Sequence, residues 1–388
     1  MEAIELIELI QRGEDSRTQF KKGQDVANAK SLAGEMVAFA NSNGGKILIG
    51  VDDNGSVCGL LPGDIRRVNQ LISNTATDCV RPSINPETEN ISVGEQVVML
   101  VTIPEGISKP YSDNDGVIWV KSGADKRRVT AREEIQRMLQ SADLVHADEV
   151  LVNGTSFGDI DLEHFSVFFE KQYGGSLDET NVSLGQLLSN LGLACDTKLN
   201  LAGLMLFGSN PQRHRPALII KAVSFAGNNP VGDKYRDSQD IGGCLRDMYK
   251  ATISFLTRNL RQVQNEKDFN TLGDLEVPQV ALVELVANML LHRDYFISAP
   301  WRVFIFDNRI ELISPGALPN NITVNNIRSG VSLIRNPLIA SYATKEGELP
   351  YRGIGTGIRR AIAAVPELEL ESDHSSNLFT ARIPRRMQ

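Results

Sequence analysis

The chain of 388 residues is predicted to fold as an α+β protein with several domains. Helix-like and strand-like hydrophobic patterns alternate along the whole sequence instead of one pattern dominating. Its composition, 41% hydrophobic and 23% charged residues, is ordinary for a globular protein. The length also exceeds what one hydrophobic core usually fills. We expect three parts, residues 1–140, 141–215 and 216–388.

The first part combines helices with antiparallel hairpins. "AKSLAGEMVAFANSNGG" predicts a helix with one buried side, closed by its glycine pair. "KILIGVDD" predicts a strand, "DNG" a tight turn and "SVCGL" a returning strand. Further elements are expected in this order: a helix near 63–77, the strands "EQVVMLVTIP" and "GVIWVKSG", and a helix from "TAREEIQRML".

The middle part is predicted to be helical. Its helical stretches are "LEHFSVFFEKQYG" and "SLGQLLSNLGLACDTKLNLAGLMLFG". Two short helices joined by a polar turn are typical of helix-turn-helix and winged-helix-like modules that read DNA. Plain helical connectors have the same pattern, so both interpretations stay open.

The third part is predicted to be an α/β sandwich. It contains the strand "ALIIKAVSF", two long helices ("GGCLRDMYKATISFLTRNLRQ" and "PQVALVELVANMLLHRDY"), the hairpin "WRVFIFDNRIELISPG" and a closing strand "NLFTARIPR". The hairpin alternates apolar and polar residues around Asp307 and Asn308.

Charge and cysteine usage restrict the partners and the compartment. The net charge of −8 argues against wholesale coating of nucleic acid but allows a local basic face. The four cysteines show no metal-binding spacing, and no apolar run approaches the ~20 residues that span a bilayer. The first residues are acidic and amphipathic, unlike a signal peptide. We expect a cytoplasmic protein without a membrane segment.

Basic side chains are concentrated in the first part. Such side chains bind a phosphate backbone without reading base sequence. The alternative is a run of charges that only faces solvent. The candidate nucleic-acid contacts are Lys21, Lys22, Lys46, Lys121, Lys126, Arg127 and Arg128.

Three segments of this part, "GEDSRTQFKK", "AGEMVAFANSNGGKILIGVDDNGSVCGL" and "VIWVKSGADKRRVTAREEIQRML", resemble the Schlafen/AlbA-type DNA-binding domain over about residues 10–140. The resemblance implies nucleic-acid binding, with DNA expected in preference to RNA. Schlafen nucleases hold a metal with two glutamates and an aspartate, and the matching positions are Glu14, Gln19 and Asp52. A neutral amide at Gln19 removes one anionic ligand, so metal-dependent cleavage is the less favoured outcome. A solvated helix-end acid at Glu14 and a plain turn at Asp52 are the alternatives.

One helix of the third part carries polar residues inside an apolar run. Glu284, Asn288 and His292 stand four residues apart and therefore share one face of the helix. Buried polar groups need partners. They find them either within the core or in a ligand that occupies a cleft.

Four motifs of this part, "VANMLLHRDY", "FDNRIELISPGALP", "RNPLIA" and "YRGIGTGIRRA", resemble the divergent GHKL-type ATP-binding domain that often follows Schlafen/AlbA-type domains in bacterial transcriptional regulators. The resemblance implies ATP and Mg²⁺ as cofactors. Asn288 would hold the magnesium and Glu284 would act as general base. The remaining cofactor contacts would be His292, Arg352, Gly353, Gly355, Gly357 and Arg359. The family's adenine-binding aspartate is missing, because Ser314 occupies the comparable strand end.

Three functions follow from these patterns. The first is a nucleic-acid-binding transcriptional regulator, a homo-oligomer whose GHKL-like domain responds to a nucleotide. The second is an enzyme, either a weak ATPase or a metal-dependent nuclease with an incomplete set of acids. The third is an oligomeric scaffold without catalytic activity.

Overall fold

The computed structural model of the protein describes residues 2–385, except 25, 27, 143, 231–233, 265–272 and 320–321, and it describes residues 133, 141 and 346 by their backbone alone. The chain divides into two compact units, Met1–Val145 and His146–Gln388, called here the N-terminal and the C-terminal unit. The domain boundaries at 140 and 215 stay predictions.

The N-terminal unit is built on a four-stranded sheet. Its helices are α1 (Ala3–Arg12), α2 (Ala29–Asn41), α3 (Pro62–Asp78) and α4 (Arg132–Ser141). Its strands are β1 (Thr18–Lys21), β2 (Gly45–Ile49), β3 (Val80–Arg81), β4 (Glu87–Val93), β5 (Gln96–Ile103), β6 (Ser112–Asp113), β7 (Trp119–Ser122) and β8 (Asp125–Arg128). The sheet order is β1-β2-β5-β4, and only β1 and β2 run parallel. Helices α2 and α3 cover one apolar core and α1 a smaller one.

Helix α2 lies deep in this unit. Asn28 caps it by accepting a hydrogen bond from the Lys30 amide, and every residue from 32 to 41 is buried. The hairpin of β7 and β8 packs on α2, and Gly34 allows the close approach because a methyl group there would lie 3.2 Å from Cε of Lys126. The hairpin thereby brings its basic side chains onto the helix.

The predicted returning strand "SVCGL" is wrong. Only an isolated bridge joins Val51 to Val57 after β2. Gly50, Gly55 and Gly59 all have positive φ angles, which turn the backbone out of an extended ladder.

The C-terminal unit begins with the helical region that the sequence predicts. Its elements are α5 (Leu162–Tyr173), α6 (Leu184–Asn190), β9 (Ala194–Cys195), β10 (Lys198–Leu199), α7 (Leu201–Phe207) and α8 (Pro211–His214), with 3₁₀ turns at Ala147–Glu149, Phe157–Asp159 and Leu177–Glu179. Aromatic rings of α5 surround Phe207 of α7, and Tyr342 packs on the same ring. A winged-helix-like role for this region stays a prediction.

The rest of the unit forms a six-stranded mixed sheet with helices and a separate two-stranded ladder of β13 and β14. The strands are β11 (Ile220–Phe225), β12 (Tyr235–Ile241), β13 (Gln262–Val263), β14 (Asp274–Leu275), β15 (Trp301–Ile305), β16 (Arg309–Pro315), β17 (Glu369–Asp373) and β18 (Leu378–Pro384). The helices are α9 (Leu245–Asn259), α10 (Gln279–Leu291), α11 (Val324–Arg328), α12 (Pro337–Glu346) and α13 (Gly357–Ala364). The sheet order is β12-β11-β15-β16-β18-β17, with β11 and β15 parallel. Hairpin β15–β16 confirms the predicted turn at Asp307 and Asn308.

Helix α10 is the central helix of this unit. It packs against α9, α13 and strand β16. Side chains satisfy the carbonyls of its last turn: Trp301 Nε1 donates to the Met289 oxygen at 2.9 Å and the Tyr295 hydroxyl to the Leu290 oxygen at 3.1 Å. This packing fixes the end of α10 and the position of its polar face. Within the described part of the chain, no helix combines the length and apolar character needed to cross a membrane.

Candidate functional site

A cavity of about 130 Å³ opens beside helix α10 in the C-terminal unit. Its walls are the polar face of α10, the end of β16 with the chain that follows it, and the glycine-rich turn that leads into α13. Apolar residues of β16 and β18, Leu312, Phe379 and Ala381, form its floor. Polar groups are thus grouped along α10 and the glycine turn, while the sheet supplies an apolar surface.

Glu284 and Asn288 of α10 line this cavity together with His292, the residue that follows the helix. Asn288 Nδ2 donates to the Glu284 carbonyl at 2.6 Å, which leaves the amide oxygen as an acceptor. The His292 ring stands edge-on to Tyr351 at 5.7 Å. Burial, and to a lesser extent Arg335, lower the pKa of His292 to about 4, so the ring is neutral at pH 7.

Glu284 is enclosed and paired with an arginine. Its side chain is 7% exposed, and Oε1 lies 2.5 Å from Nη2 of Arg360 on α13. Burial raises the pKa of the Glu284 carboxyl above its usual value, while Arg360 and Arg352 oppose that rise. A carboxyl with a raised pKa beside a cavity is a candidate general base.

The three glycines of the turn have different physical roles. Gly353 and Gly355 have φ angles of 70° and 68°, which residues with a side chain rarely adopt. Gly357 starts α13, and a methyl group there would lie 2.5 Å from Oε2 of Glu284. The first two glycines shape the turn, and the third lets α13 approach α10. The amides of the first turn of a helix lack intrahelical acceptors and suit an anion.

The arginines around the turn differ from the prediction at one position. Arg352 lines the cavity, but Arg359 does not: it is exposed and its side chain packs near Gly330. Arg360 lines the cavity instead. Adjacent side chains of a helix point about 100° apart, so only one of these two arginines can face the cavity. Arg360 has that position, and the predicted contact by Arg359 is corrected.

The opposite end of the cavity corresponds to the expected base site. Ser314 is buried there, and its hydroxyl donates to the Met289 carbonyl at 3.3 Å. Arg335 Nη2 donates to the Ala317 carbonyl at 2.8 Å on the same side. Among the described residues that line the cavity, Glu284 is the only carboxylate, and it lies at the glycine turn. The acid that anchors adenine in the resembling family has no described counterpart at Ser314.

The donor set fits a magnesium nucleotide on its phosphate side. Mg²⁺ prefers oxygen ligands and keeps several waters when it also binds phosphates. The amide oxygen of Asn288 supplies one protein ligand, while Arg352 and the first-turn amides of α13 supply groups that bind phosphate. A bound ion would neutralise phosphate charge next to Glu284.

In the N-terminal unit, the two predicted nuclease acids are held by different partners. Glu14 Oε1 accepts hydrogen bonds from the Phe20 amide at 2.7 Å and from the Gln19 side chain. Asp52 instead pairs with Lys22 at 2.9 Å, and this hydrogen bond lowers its pKa. Within the described residues there is no group of three or more His, Cys, Asp or Glu that could hold a metal ion.

A buried lysine occupies the position beside Glu14 and Gln19. Lys121 Nζ donates to Gln19 Oε1 at 2.9 Å and also to the Ala124 carbonyl, and its side chain is 1% exposed. Burial lowers the pKa of Lys121, and Glu35 and Glu14 act in the opposite direction. The structure therefore corrects the predicted phosphate contact by Lys121, whose ammonium group is enclosed by protein.

Glu35 of α2 is a functional candidate that sequence reasoning missed. It is buried, and it pairs with Lys126 at 2.7 Å and Lys121 at 3.9 Å. A charged residue within an otherwise fully apolar helix segment is the signal that could have identified it. Both lysines come from the hairpin β7–β8, so Glu35 holds that hairpin on α2.

The remaining basic candidates lie nearer the surface. Arg127 makes a bidentate pair with Glu134 at 2.6 and 2.9 Å, and Arg128 is exposed with its guanidinium 5.7 Å from the Trp119 ring. Lys21 and Lys46 are half-buried on the neighbouring strands β1 and β2. The basic surface is thus narrower than the sequence suggests, and Arg127 and Arg128 are the exposed arginines of the hairpin.

Comparison with known proteins identifies two regions of the chain. The family model described as "Schlafen, AlbA_2" matches residues 14–130, and that described as "Putative ATP-dependent DNA helicase recG C-terminal" matches residues 299–378. No curated protein matches the chain.

Two solved structures are also similar. The DIP2311 protein from Corynebacterium diphtheriae is 20% identical with a TM-score of 0.47, over 99% of this chain and 80% of that one. The "N-terminal Domain of Putative ATP-dependent DNA Helicase RecG-related Protein" from Nitrosomonas europaea is 24% identical with a TM-score of 0.27, over 34% of this chain and 96% of that one. On the family matches, the chain combines a Schlafen AlbA_2 region at the N-terminus with a RecG C-terminal-like HATPase region at the C-terminus.

Proposed function

We propose that the protein binds a magnesium nucleoside triphosphate, ATP being the expected one, in the cavity of the C-terminal unit. The observation that carries this proposal is the convergence of Glu284, Asn288 and the glycine turn on one cavity. These groups come from sequence positions about seventy residues apart, and each has the chemistry that a phosphate or its cation requires.

Each residue has a separate role in this proposal. Asn288 presents an amide oxygen to the cation, and Arg352 with the start of α13 binds phosphate oxygens. Glu284 accepts a proton from water when hydrolysis occurs, which its raised pKa favours. His292 stays neutral and supports the Tyr351 side of the cavity. Hydrolysis requires Glu284 to leave Arg360, so we expect a slow ATPase.

For the N-terminal unit we propose nucleic-acid binding without metal chemistry, with DNA preferred over RNA. The family match to an AlbA-type domain supports the binding, and the exposed Arg128 supplies a phosphate contact. Lys121 already donates to Gln19, where a catalytic cation would need an anionic ligand. A regulator of transcription that acts as a homo-oligomer and responds to a nucleotide is the role this combination favours.

Thermal unfolding with magnesium nucleotide tests the central proposal. Mg-ATP should raise the Tm of the full chain, because a ligand that binds only the folded state stabilises it. Asn288→Ala should abolish that rise, and Ser189→Ala, on helix α6 outside the cavity lining, is the matched control that should keep it. If Mg-ATP leaves the wild-type Tm unchanged at millimolar concentration, the scaffold function replaces this proposal.

A further inference from the structure

The ion pair between Glu284 and Arg360 lies where the cavity meets helix α13. Its atoms are 2.5 Å apart, the Glu284 side chain is 7% exposed and the Arg360 side chain is 38% exposed. Arg360 lies one turn after Gly357, on the face of α13 that packs against α10. The guanidinium therefore lies beside Glu284 in the lining of the cavity.

Arg360 still has an unused donor. Its Nε is buried and has no hydrogen-bond partner among the described residues. A buried donor without an acceptor costs free energy, and a guanidinium can donate to two oxygens of one phosphate group. A terminal phosphate at this position would satisfy both Nε and the Nη2 that Glu284 now holds.

We infer that Arg360 distinguishes a nucleoside triphosphate from a diphosphate by exchanging Glu284 for the terminal phosphate. This inference rests on the proposed nucleotide site. In the structure, Arg360 neutralises Glu284. With a triphosphate bound, Arg360 binds the terminal phosphate and Glu284 is released as a proton acceptor, so one arginine links recognition of the substrate to activation of the base.

The exchange also sets the direction of two mutational effects. Removing the guanidinium removes a contact that only a triphosphate can make, so triphosphate affinity falls and diphosphate affinity stays. Removing the charge of Glu284 removes the competitor for Arg360, so triphosphate affinity rises. A purely structural ion pair would weaken both nucleotides in both variants.

Calorimetric titration of the full chain with Mg-ATP and Mg-ADP tests the inference. Arg360→Gln should lower ATP affinity about tenfold while ADP affinity is unchanged, as expected for one lost charge-assisted contact. Arg360→Lys should retain part of the preference for ATP. Glu284→Gln should tighten ATP binding without an equal gain for ADP. Arg359→Gln, the neighbouring exposed arginine, should match the wild type.

The outcomes separate the inference from the proposed function. One result is that both nucleotides bind and the ratio of ATP affinity to ADP affinity is the same in wild type and in Arg360→Gln. That result overturns the role of Arg360 but leaves the nucleotide site standing. Binding of neither nucleotide by the wild type overturns the nucleotide site and this inference together. Circular dichroism shows whether each variant is folded. If Arg360→Gln is unfolded, Glu284→Gln still tests the exchange, because it changes the other partner of the ion pair.

Discussion

Each unit of the protein contains a buried helical glutamate that is paired with a cation, but the surroundings of the two pairs differ. Around Glu35, the ammonium group of Lys121 is satisfied by Gln19 and the Ala124 carbonyl, and its side chain is almost fully enclosed. Around Glu284, Arg360 keeps an unsatisfied Nε and faces a cavity. The two pairs thus differ in their donors: Lys121 donates to two protein oxygens, whereas Arg360 has one unused donor beside a cavity. We therefore expect a ligand to affect the pair of the C-terminal unit and not that of the N-terminal unit.

The largest expected effect is the loss of stability when Glu35 is changed. Glu35→Gln should lower the free energy of unfolding of the N-terminal unit by about 3 kcal/mol, because it removes the buried carboxylate that Lys126 and the enclosed Lys121 share. Urea unfolding measures this. The matched control is Glu134→Gln, which breaks an exposed pair with Arg127 and should cost about 1 kcal/mol or less. Equal losses in the two variants would mean that Lys121 is not confined as described.

His292 should make the stability of the C-terminal unit decrease as the pH falls. Its pKa of about 4 in the folded state is below the ordinary 6.5, so stability from its neutral form is full above pH 6.5 and is lost as the pH falls toward 4. Between pH 7 and pH 5 this amounts to about 2 kcal/mol. His292→Phe keeps a ring beside Tyr351 but cannot titrate.

Urea unfolding of wild type and His292→Phe at several pH values measures the effect. The difference between the two free energies should change over this pH interval. A constant difference from pH 7 to pH 5 would contradict the lowered pKa of His292.

Breaking the pair of the C-terminal unit should cost less stability than breaking that of the N-terminal unit. Arg360→Gln should lower the free energy of unfolding by about 1 kcal/mol, because Arg360 is partly exposed and Glu284, whose pKa is raised, can take up a proton. The same urea experiment, read with a probe in the C-terminal unit, gives the value. If Arg360→Gln lost as much free energy of unfolding as Glu35→Gln, both ion pairs would be structural, and the two units would not differ in this respect.

Nucleic-acid binding should distinguish adjacent arginines of the hairpin. Arg128→Gln should reduce the slope of log affinity against log salt by about 0.9, as expected when one phosphate contact is lost. Arg127→Gln should change the slope less, since Glu134 already holds that side chain. Fluorescence anisotropy with a duplex DNA oligonucleotide at several salt concentrations provides the slopes. A wild-type affinity that does not depend on salt would contradict phosphate contacts altogether.

The smallest expected effect concerns cleavage. Gln19→Glu restores the second acid of the Schlafen nuclease pattern, yet it should produce no metal-dependent cleavage of RNA or DNA. Lys121 donates to this side chain, and Asp52 is held by Lys22. Gel assays with Mg²⁺ and Mn²⁺ test this, with the double variant Gln19→Glu, Lys121→Met as the comparison. Cleavage by the single variant would show that Lys121 can leave its position.

The polar face of α10 could be predicted because it depends on local periodicity alone. Spacings of four residues predict that Glu284, Asn288 and His292 share one side, and all three line the cavity. The sequence did not identify Arg360, because the direction of its side chain depends on the residue at which α13 begins. A helix that began one residue earlier or later would turn Arg359 toward the cavity in place of Arg360. Lys121 was misjudged because its burial depends on a hairpin folding onto a helix about ninety residues earlier.

One consequence concerns how related chains would diverge at Gly357. Gly357 has no Cβ atom, and this leaves space between α13 and α10 for the carboxylate of Glu284. Alanine at this position would place its methyl group 2.5 Å from Oε2 of Glu284 and push that carboxylate aside, while Gly353 and Gly355 keep the turn itself unchanged. Under the inferred role of Arg360, a single methyl group at residue 357 would change the pairing on which the distinction between triphosphate and diphosphate depends.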